Sequence, residues 1–267
     1  MKIFDCVTFF EENRQINLRF NILNNYVDYF IVCEGKYDHQ GKKKKINFNK
    51  NNYPKFKKKI IHIIVGEFPK NLNPWERQAF QRENIFTGLK KAKDDDLILF
   101  SDPDEIPNLS NFRKKKLKKK YIIFLQDLFY YKLNIKEIEI GNNWEGTRGC
   151  LKYNLKSIDY MRQKVLKKNE KYGFWRIDKE RNFQIIKNGG WHFSYLLTPA
   201  EIQRKIKTFA HTELNKKKFT SLKNIKYCIK NLKDLFHRDV KYKKIKINED
   251  YPKYILKNQK KLSDWIA

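Results

Sequence analysis

Nowhere in the 267 residues does an uninterrupted apolar run approach the roughly 18 residues that a membrane-crossing helix needs. A soluble, cytoplasmic chain is the expectation. Cysteine is scarce: Cys6, Cys33, Cys150 and Cys228 form no C-x-x-C pair and no ladder of short spacings. Neither a zinc site nor a disulfide framework is indicated, and the four are expected to be reduced, mostly buried thiols. No internal repeat is present. Acid is also in short supply, with 30 Asp and Glu against 59 Lys and Arg and a net charge of +29. Such an excess would favour polyanions such as nucleic acid, anionic membranes or phosphorylated glycans. Yet the basic residues, including Lys42-Lys43-Lys44-Lys45 and Lys114-Lys115-Lys116, are scattered through loops, and no single helix interleaves them with aromatics. The charge reads as broad lysine usage. No specific nucleic-acid partner is expected, and peripheral contact with an anionic membrane stays open.

What is plentiful is aromatic and aliphatic residues, 15% and 40% by the aromatic and hydrophobic counts, which argues for a folded chain with one main core. Residues 1–8 are dense in β-formers. Ile16, Phe20, Leu23 and Val27 recur at helical spacing, and Tyr29 to Cys33 and Ile60 to Val65 read as short buried parallel strands. The lysine-laden residues 36–59 between them are expected to be a mobile surface excursion. A helix follows Pro74, and a strand spans Leu97 to Phe100. This alternation predicts an α/β fold with a mostly parallel central sheet flanked by helices over residues 1–215. Short strand-like pieces from Tyr121 to Cys150 would close the face of the site. Thr198-Pro199-Ala200-Glu201 is a helix start with Thr as N-cap, Pro at N1 and Glu at N3. Residues 216–267 are expected to form a basic, mainly helical C-terminal extension packed on that domain.

The segment Leu97-Ile98-Leu99-Phe100-Ser101-Asp102-Pro103-Asp104-Glu105-Ile106-Pro107 is an apolar strand ending in three carboxylates. Ligands of open α/β sheets sit outside the carboxyl ends of strands. Clustered carboxylates repel one another and gain most from a hard divalent cation, Mn²⁺ or Mg²⁺, bridged to a substrate diphosphate. Asp102 and Asp104 are therefore candidate metal ligands. An ordinary acidic turn, with Asp102 capping the next element, is the alternative.

The same segment resembles the Asp-x-Asp-Glu-Ile-Pro signature of glycosyltransferase family 17. Other blocks agree in order: Val32-Cys33-Glu34 with Gly41 and Phe48, Arg82 ahead of the signature, Gly190-Trp191-His192 with Ser194, Thr198 and Pro199, and Pro252-Lys253-Tyr254 with Leu256, Lys257 and Asn258. The resemblance implies a GT-A-like nucleotide-sugar fold and a metal-dependent, inverting transfer. The donor would be a nucleotide sugar, UDP-N-acetylglucosamine by resemblance, and the acceptor a glycan. Animal members carry an N-terminal membrane anchor that this sequence does not show.

His192 is read either as a third metal ligand or as a histidine hydrogen-bonded among Trp191 and Tyr195. Gly189 and Gly190 would permit close approach of a substrate. Inversion needs a base, and Glu105, Glu34 and Glu145 are the candidates. Arg82 could fork onto phosphate oxygens or make a surface pair. Glu34, Gly190 and Trp191 complete the candidate donor-binding set, and Trp75, Trp144 and Trp191 could stack on sugar rings or sit in the core. Two rival readings remain. One is a metal-dependent nuclease or phosphotransferase using Asp102, Asp104 and Glu105; the other is a non-enzymatic polyanion-binding module using the chain beyond Lys216.

Overall fold

The computed structural model describes residues 1–110, 112, 117–139 and 143–267, so the Lys114-Lys115-Lys116 run lies outside it. In chain order the elements begin with β1 (Ile3–Phe9), α1 (Asn13–Leu23), β2 (Tyr29–Gly35), β3 (Ile60–Val65), α2 (Pro74–Glu83), β4 (Leu97–Ser101) and β5 (Glu105–Pro107). The middle of the chain supplies β6 (Tyr121–Tyr130), β7 (Ile135–Glu137), β8 (Trp144–Leu151), α3 (Ile158–Lys164), β9 (Phe183–Ile186) and β10 (Gly190–Ser194). Then come α4 (Pro199–Thr208), α5 (Lys217–Thr220), α6 (Leu222–Lys230), β11 (Tyr242–Lys244) and α7 (Lys253–Lys257).

The expected parallel sheet is present in the first half as the order β3-β2-β1-β4, every neighbouring pair parallel. Beyond β4 the sheet is mixed. β8 runs antiparallel to β4, and β6 antiparallel to β8. The reason is connectivity: β4 is followed by the short turn into β5 and not by a crossover helix, so the later strands are free to add in either direction. β6 is long enough to serve two neighbourhoods. Its first half pairs with β8 and β9, and its second half with β7 and β10.

Period-two alternation divides the core between the two faces of the sheet. Ile3, Val7 and Phe9 of β1 pack with Ile16, Phe20 and Leu23 of α1. Phe4 and Cys6 point the other way, toward Ile85, Leu89, Ile158 and Met161. Asp5 falls on the α1 face and would be a buried charge, but Arg19 of α1 clasps it with two hydrogen bonds of 2.6 and 2.5 Å. The same guanidinium donates to Ser101 Oγ and to the carbonyl of Glu105, so α1 is pinned to the end of β4.

One expectation needs correction. Residues 36–59 are not a loose excursion: Phe48, Tyr53 and Phe56 are buried against Phe20. The lysines hid that aromatic triplet from a composition reading. Beyond residue 215, α5, α6 and α7 are joined by β11, which pairs antiparallel with β7 at the sheet edge, and Tyr251 and Ile255 enter the main core. Among the described residues no helix is long and apolar enough to cross a membrane. All four cysteines are buried free thiols.

Candidate active site

The turn Asp102-Pro103-Asp104 leaves the carboxyl end of β4 and is folded back by a hydrogen bond from the Glu105 amide to the Asp102 carbonyl. β5 then pairs antiparallel with β10, which sets His192 directly opposite Glu105. One register thus brings the carboxylate segment beside the Gly-Trp-His block, 85 or more residues away in sequence. Along β10 the side chains alternate. His192 and Ser194 line a cavity of about 500 Å³, whereas Trp191 and Phe193 pack in the core.

Asp104 and His192 meet across that cavity wall, with Asp104 Oδ1 and His192 Nε2 3.6 Å apart and Lys205 Nζ 3.3 Å from Asp104 Oδ2. Burial alone would raise the Asp104 pKa, but Lys205 and His192 together hold its carboxyl far below the usual range. Lys205, which also lies 3.5 Å from Glu12, is pushed up in turn: burial would lower it, and Asp104 and then Glu12 outweigh that. Asp102 is drawn elsewhere. Its Oδ2 accepts from Arg162 at 2.7 Å, and Arg82 stands 3.9 Å from Oδ1. Against the burial that would raise its pKa, Arg162 and then Arg82 keep it low.

Glu105 is the most completely paired carboxylate of the cluster. Arg162 donates to both of its oxygens at 2.8 and 2.9 Å, the Trp144 indole at 2.9 Å and the Asp102 amide at 3.1 Å. Trp144 in turn packs against the His192 ring, centroids 4.6 Å apart and planes tilted by 44°. Glu34 is buried behind the cavity, where it accepts from Lys44 and from the amides of Asn47 and Phe48 and so ties down the 36–59 loop. Glu145 accepts from Arg148 and the Lys167 amide. Neither Glu34 nor Glu145 lines the cavity.

Of the donor-binding candidates, Arg82 lines the cavity, bonded to Asp159 at 2.8 Å, with its Nε buried and unpartnered. Neither Gly190 nor Trp191 lines the cavity. Gly190 has φ +135°, and a Cβ there would fall 2.1 Å from the Ile106 carbonyl oxygen, so its close approach is to β5 and not to a substrate. Trp191 donates its indole N–H to the Asp250 carbonyl from within the core. Trp75 and Trp144 do face the cavity.

Arg162, Lys205 and Asp38 also line the cavity, and no motif announced them. Arg162 sits on α3 without a flanking pattern. Lys205 had a signal, since it falls on the apolar face of the capped α4, between Ile202 and Ile206. Asp38, in the turn after β2, accepts from the Lys42 amide at 2.8 Å. Among the described residues no basic side chain pairs with it, whereas Glu12, Asp102, Asp104 and Glu105 each have such a partner.

Could the residues present hold a divalent cation? No group of three His, Cys, Asp or Glu side chains converges for it among the described residues. Asp104 and His192 do fit as a pair. Their 3.6 Å separation lies outside hydrogen-bonding reach and suits two ligands each about 2.1 Å from one ion. The His192 Nδ1 is buried without a partner. Mg²⁺-type ions take only one or two carboxylates from the protein and fill the rest of their shell with water and substrate phosphates.

Parts of the chain are similar to known proteins. The beta-1,4-mannosyl-glycoprotein 4-beta-N-acetylglucosaminyltransferases of Rattus norvegicus and Homo sapiens are each 22% identical to the chain over 120 residues, covering 40% of it. The chain spans only 22% of those relatives' length. Among solved structures, the glycosyltransferase GlyE of Streptococcus pneumoniae TIGR4 is similar at 10% identity and TM-score 0.34, over 70% of this chain and 46% of that one. HddC of Yersinia pseudotuberculosis is similar at 9% and 0.33, over 73% and 91%. These structural likenesses are too slight to bear on the activity. The model of glycosyltransferase family 17 matches residues 1–125, so the family resemblance read from the motifs holds across the segment that contains Glu34, Arg82 and the strand-end carboxylates.

Proposed function

We propose that the chain is an inverting, metal-dependent glycosyltransferase that moves N-acetylglucosamine from UDP-N-acetylglucosamine to a glycan hydroxyl. One observation carries this reading. At the end of β4, Asp104 and His192 face each other in a cavity of about 500 Å³ that Arg82, Arg162 and Lys205 also line. That volume is within the range of about 300–1,000 Å³ common to small-molecule sites. The sugar named in the relatives supports the choice of donor.

Asp104 and His192 would hold Mn²⁺ or Mg²⁺, which when bound neutralises charge on the leaving diphosphate. Arg82, with an unspent buried N–H, and Lys205 would face the phosphates. Arg162 acts through others: by clamping Glu105 and Asp102 it fixes the strand end from which Asp104 projects. Trp144 holds the His192 ring by packing its indole against it.

Asp38 is the base in this scheme. The acceptor hydroxyl oxygen bonds to the anomeric carbon as the bond from that carbon to the diphosphate oxygen breaks. The hydroxyl proton passes to Asp38, and the electron pair leaves with the diphosphate. Glu105 is committed to Arg162 and Trp144, and Glu34 and Glu145 stand outside the cavity, which leaves them positioning roles.

The test is thermal: UDP and Mn²⁺ together should raise Tm by more than the sum of either alone. Asp104→Asn should fold and lose that joint shift. A Tm that responds to duplex DNA in a salt-sensitive way, and to no nucleoside diphosphate, would overturn the proposal in favour of nucleic-acid chemistry.

A further inference from the structure

The three most exposed large hydrophobic side chains among the described residues lie within four positions: Phe174, Trp175 and Ile177, at 79, 70 and 95% exposure. They form the tip of the loop between α3 and β9 and take no part in the cavity. The tip is held out by specific bonds. Arg181 donates to the carbonyls of Tyr172 and Phe174 at 3.1 and 3.0 Å, and at the loop's base the buried Asn169 amide donates to the Glu180 carbonyl at 2.9 Å. The Trp175 indole covers Gly173, where a Cβ would lie 2.3 Å from the ring, and Phe174 meets that indole edge-on at 5.4 Å.

Around this tip is a basic collar. Residues 167–181 contain six Lys and Arg against three acids, and one of those acids, Asp178, is already engaged by Arg176 and Lys179. Holding a phenyl, an indole and a branched alkyl group together in water is unfavourable for a lone globular chain. Aromatic rings at headgroup depth with cations against lipid phosphates are what the edge of an anionic bilayer accommodates. We infer that the loop around Phe174, Trp175 and Ile177 is a membrane-docking tip that seats the protein on an anionic lipid surface. A second copy of the chain fits poorly, since the two basic collars would oppose each other. The net charge of +29 would supply attraction at a distance, and the tip the insertion.

Vesicle co-sedimentation tests this independently of any transferase activity. The wild type should bind phosphatidylcholine vesicles containing phosphatidylserine, and bind phosphatidylcholine alone far less. The Phe174→Ser, Trp175→Ser, Ile177→Ser triple variant has the same charge and should retain the wild-type Tm, because the replaced side chains are exposed. Its affinity for the phosphatidylserine vesicles should fall by about tenfold or more. Undiminished binding by the triple variant would assign the attraction to charge alone and overturn the inference. So would absence of wild-type binding, or a wild-type dimer in sedimentation equilibrium that the triple variant does not form.

Discussion

Removing the Arg162 guanidinium would leave Glu105 almost fully buried with only neutral donors, the Trp144 indole and the Asp102 amide, around a charged carboxylate. Breaking a buried pair on one side typically costs about 3–5 kcal/mol, more than the pair contributes when intact. Arg162→Ala should therefore lower stability by about that amount in urea titration, and Arg162→Lys should recover only part of it, since one ammonium cannot reach both Glu105 oxygens and Asp102 as the fork does. Asp38→Asn makes the opposite prediction: little change in stability, with kcat reduced by about 10²–10⁴-fold at nearly constant donor KM and the acidic limb of the pH–rate profile abolished. Unchanged kcat would return the base to another carboxylate. The contrast shows why the individual roles were hard to read. Asp102, Asp104 and Glu105 are adjacent in sequence and of one chemical type, and what separates them is their partners, Arg162, Lys205 and Trp144, which come from three distant elements.

At the level of elements, local chemistry carried further. The capped start of α4 is present as expected: the Thr198 side chain accepts from the Glu201 amide, and Glu201 reaches back to the Thr198 amide. Thr198→Ala should cost about 1 kcal/mol in urea titration. Because Lys205 sits two turns along the same helix, the variant should also weaken the joint response to UDP and Mn²⁺ more than that loss of stability explains. Strands β1 to β4 were legible for a similar reason, as each is a short β-forming run bounded by turn residues. The dual pairing of β6 was not, because an apolar run such as Tyr121 to Leu125 does not say which strands will flank it. Nor did the paired glycines before Trp191 declare that their tight contacts are to the backbone of β5 and the segment around Leu125.

For the molecule as a whole, the buried thiols give a pH dependence that is independent of the cavity. Burial pushes Cys33 and Cys150 up to about 12, and Cys6 is raised as well. A folded state that keeps these protons is favoured below the ordinary thiol value of 9.0 and loses that advantage as pH climbs from there toward about 12. Urea midpoints should fall over that interval, and a Cys33→Ala, Cys150→Ala double variant should show a shallower fall. A thiol reagent at pH 8 should find the native protein nearly inert and the unfolded chain fully reactive. The α/β class was readable from alternating patterns spread over the chain. The participation of Tyr251 and Ile255 in the main core was not, because a lysine-rich sequence context masks two isolated apolar anchors.

The antiparallel seam between β5 and β10 also limits how this protein can change. Because neighbouring side chains on a strand face opposite ways, adding or deleting a single residue between Gly190 and Ser194 would exchange sides, sending the imidazole inward and the Trp191 indole into the pocket. Length variation in that strand is tolerable only in twos. Whatever chemistry the pocket performs is thus guarded by parity, a constraint on insertion that no single side chain could impose.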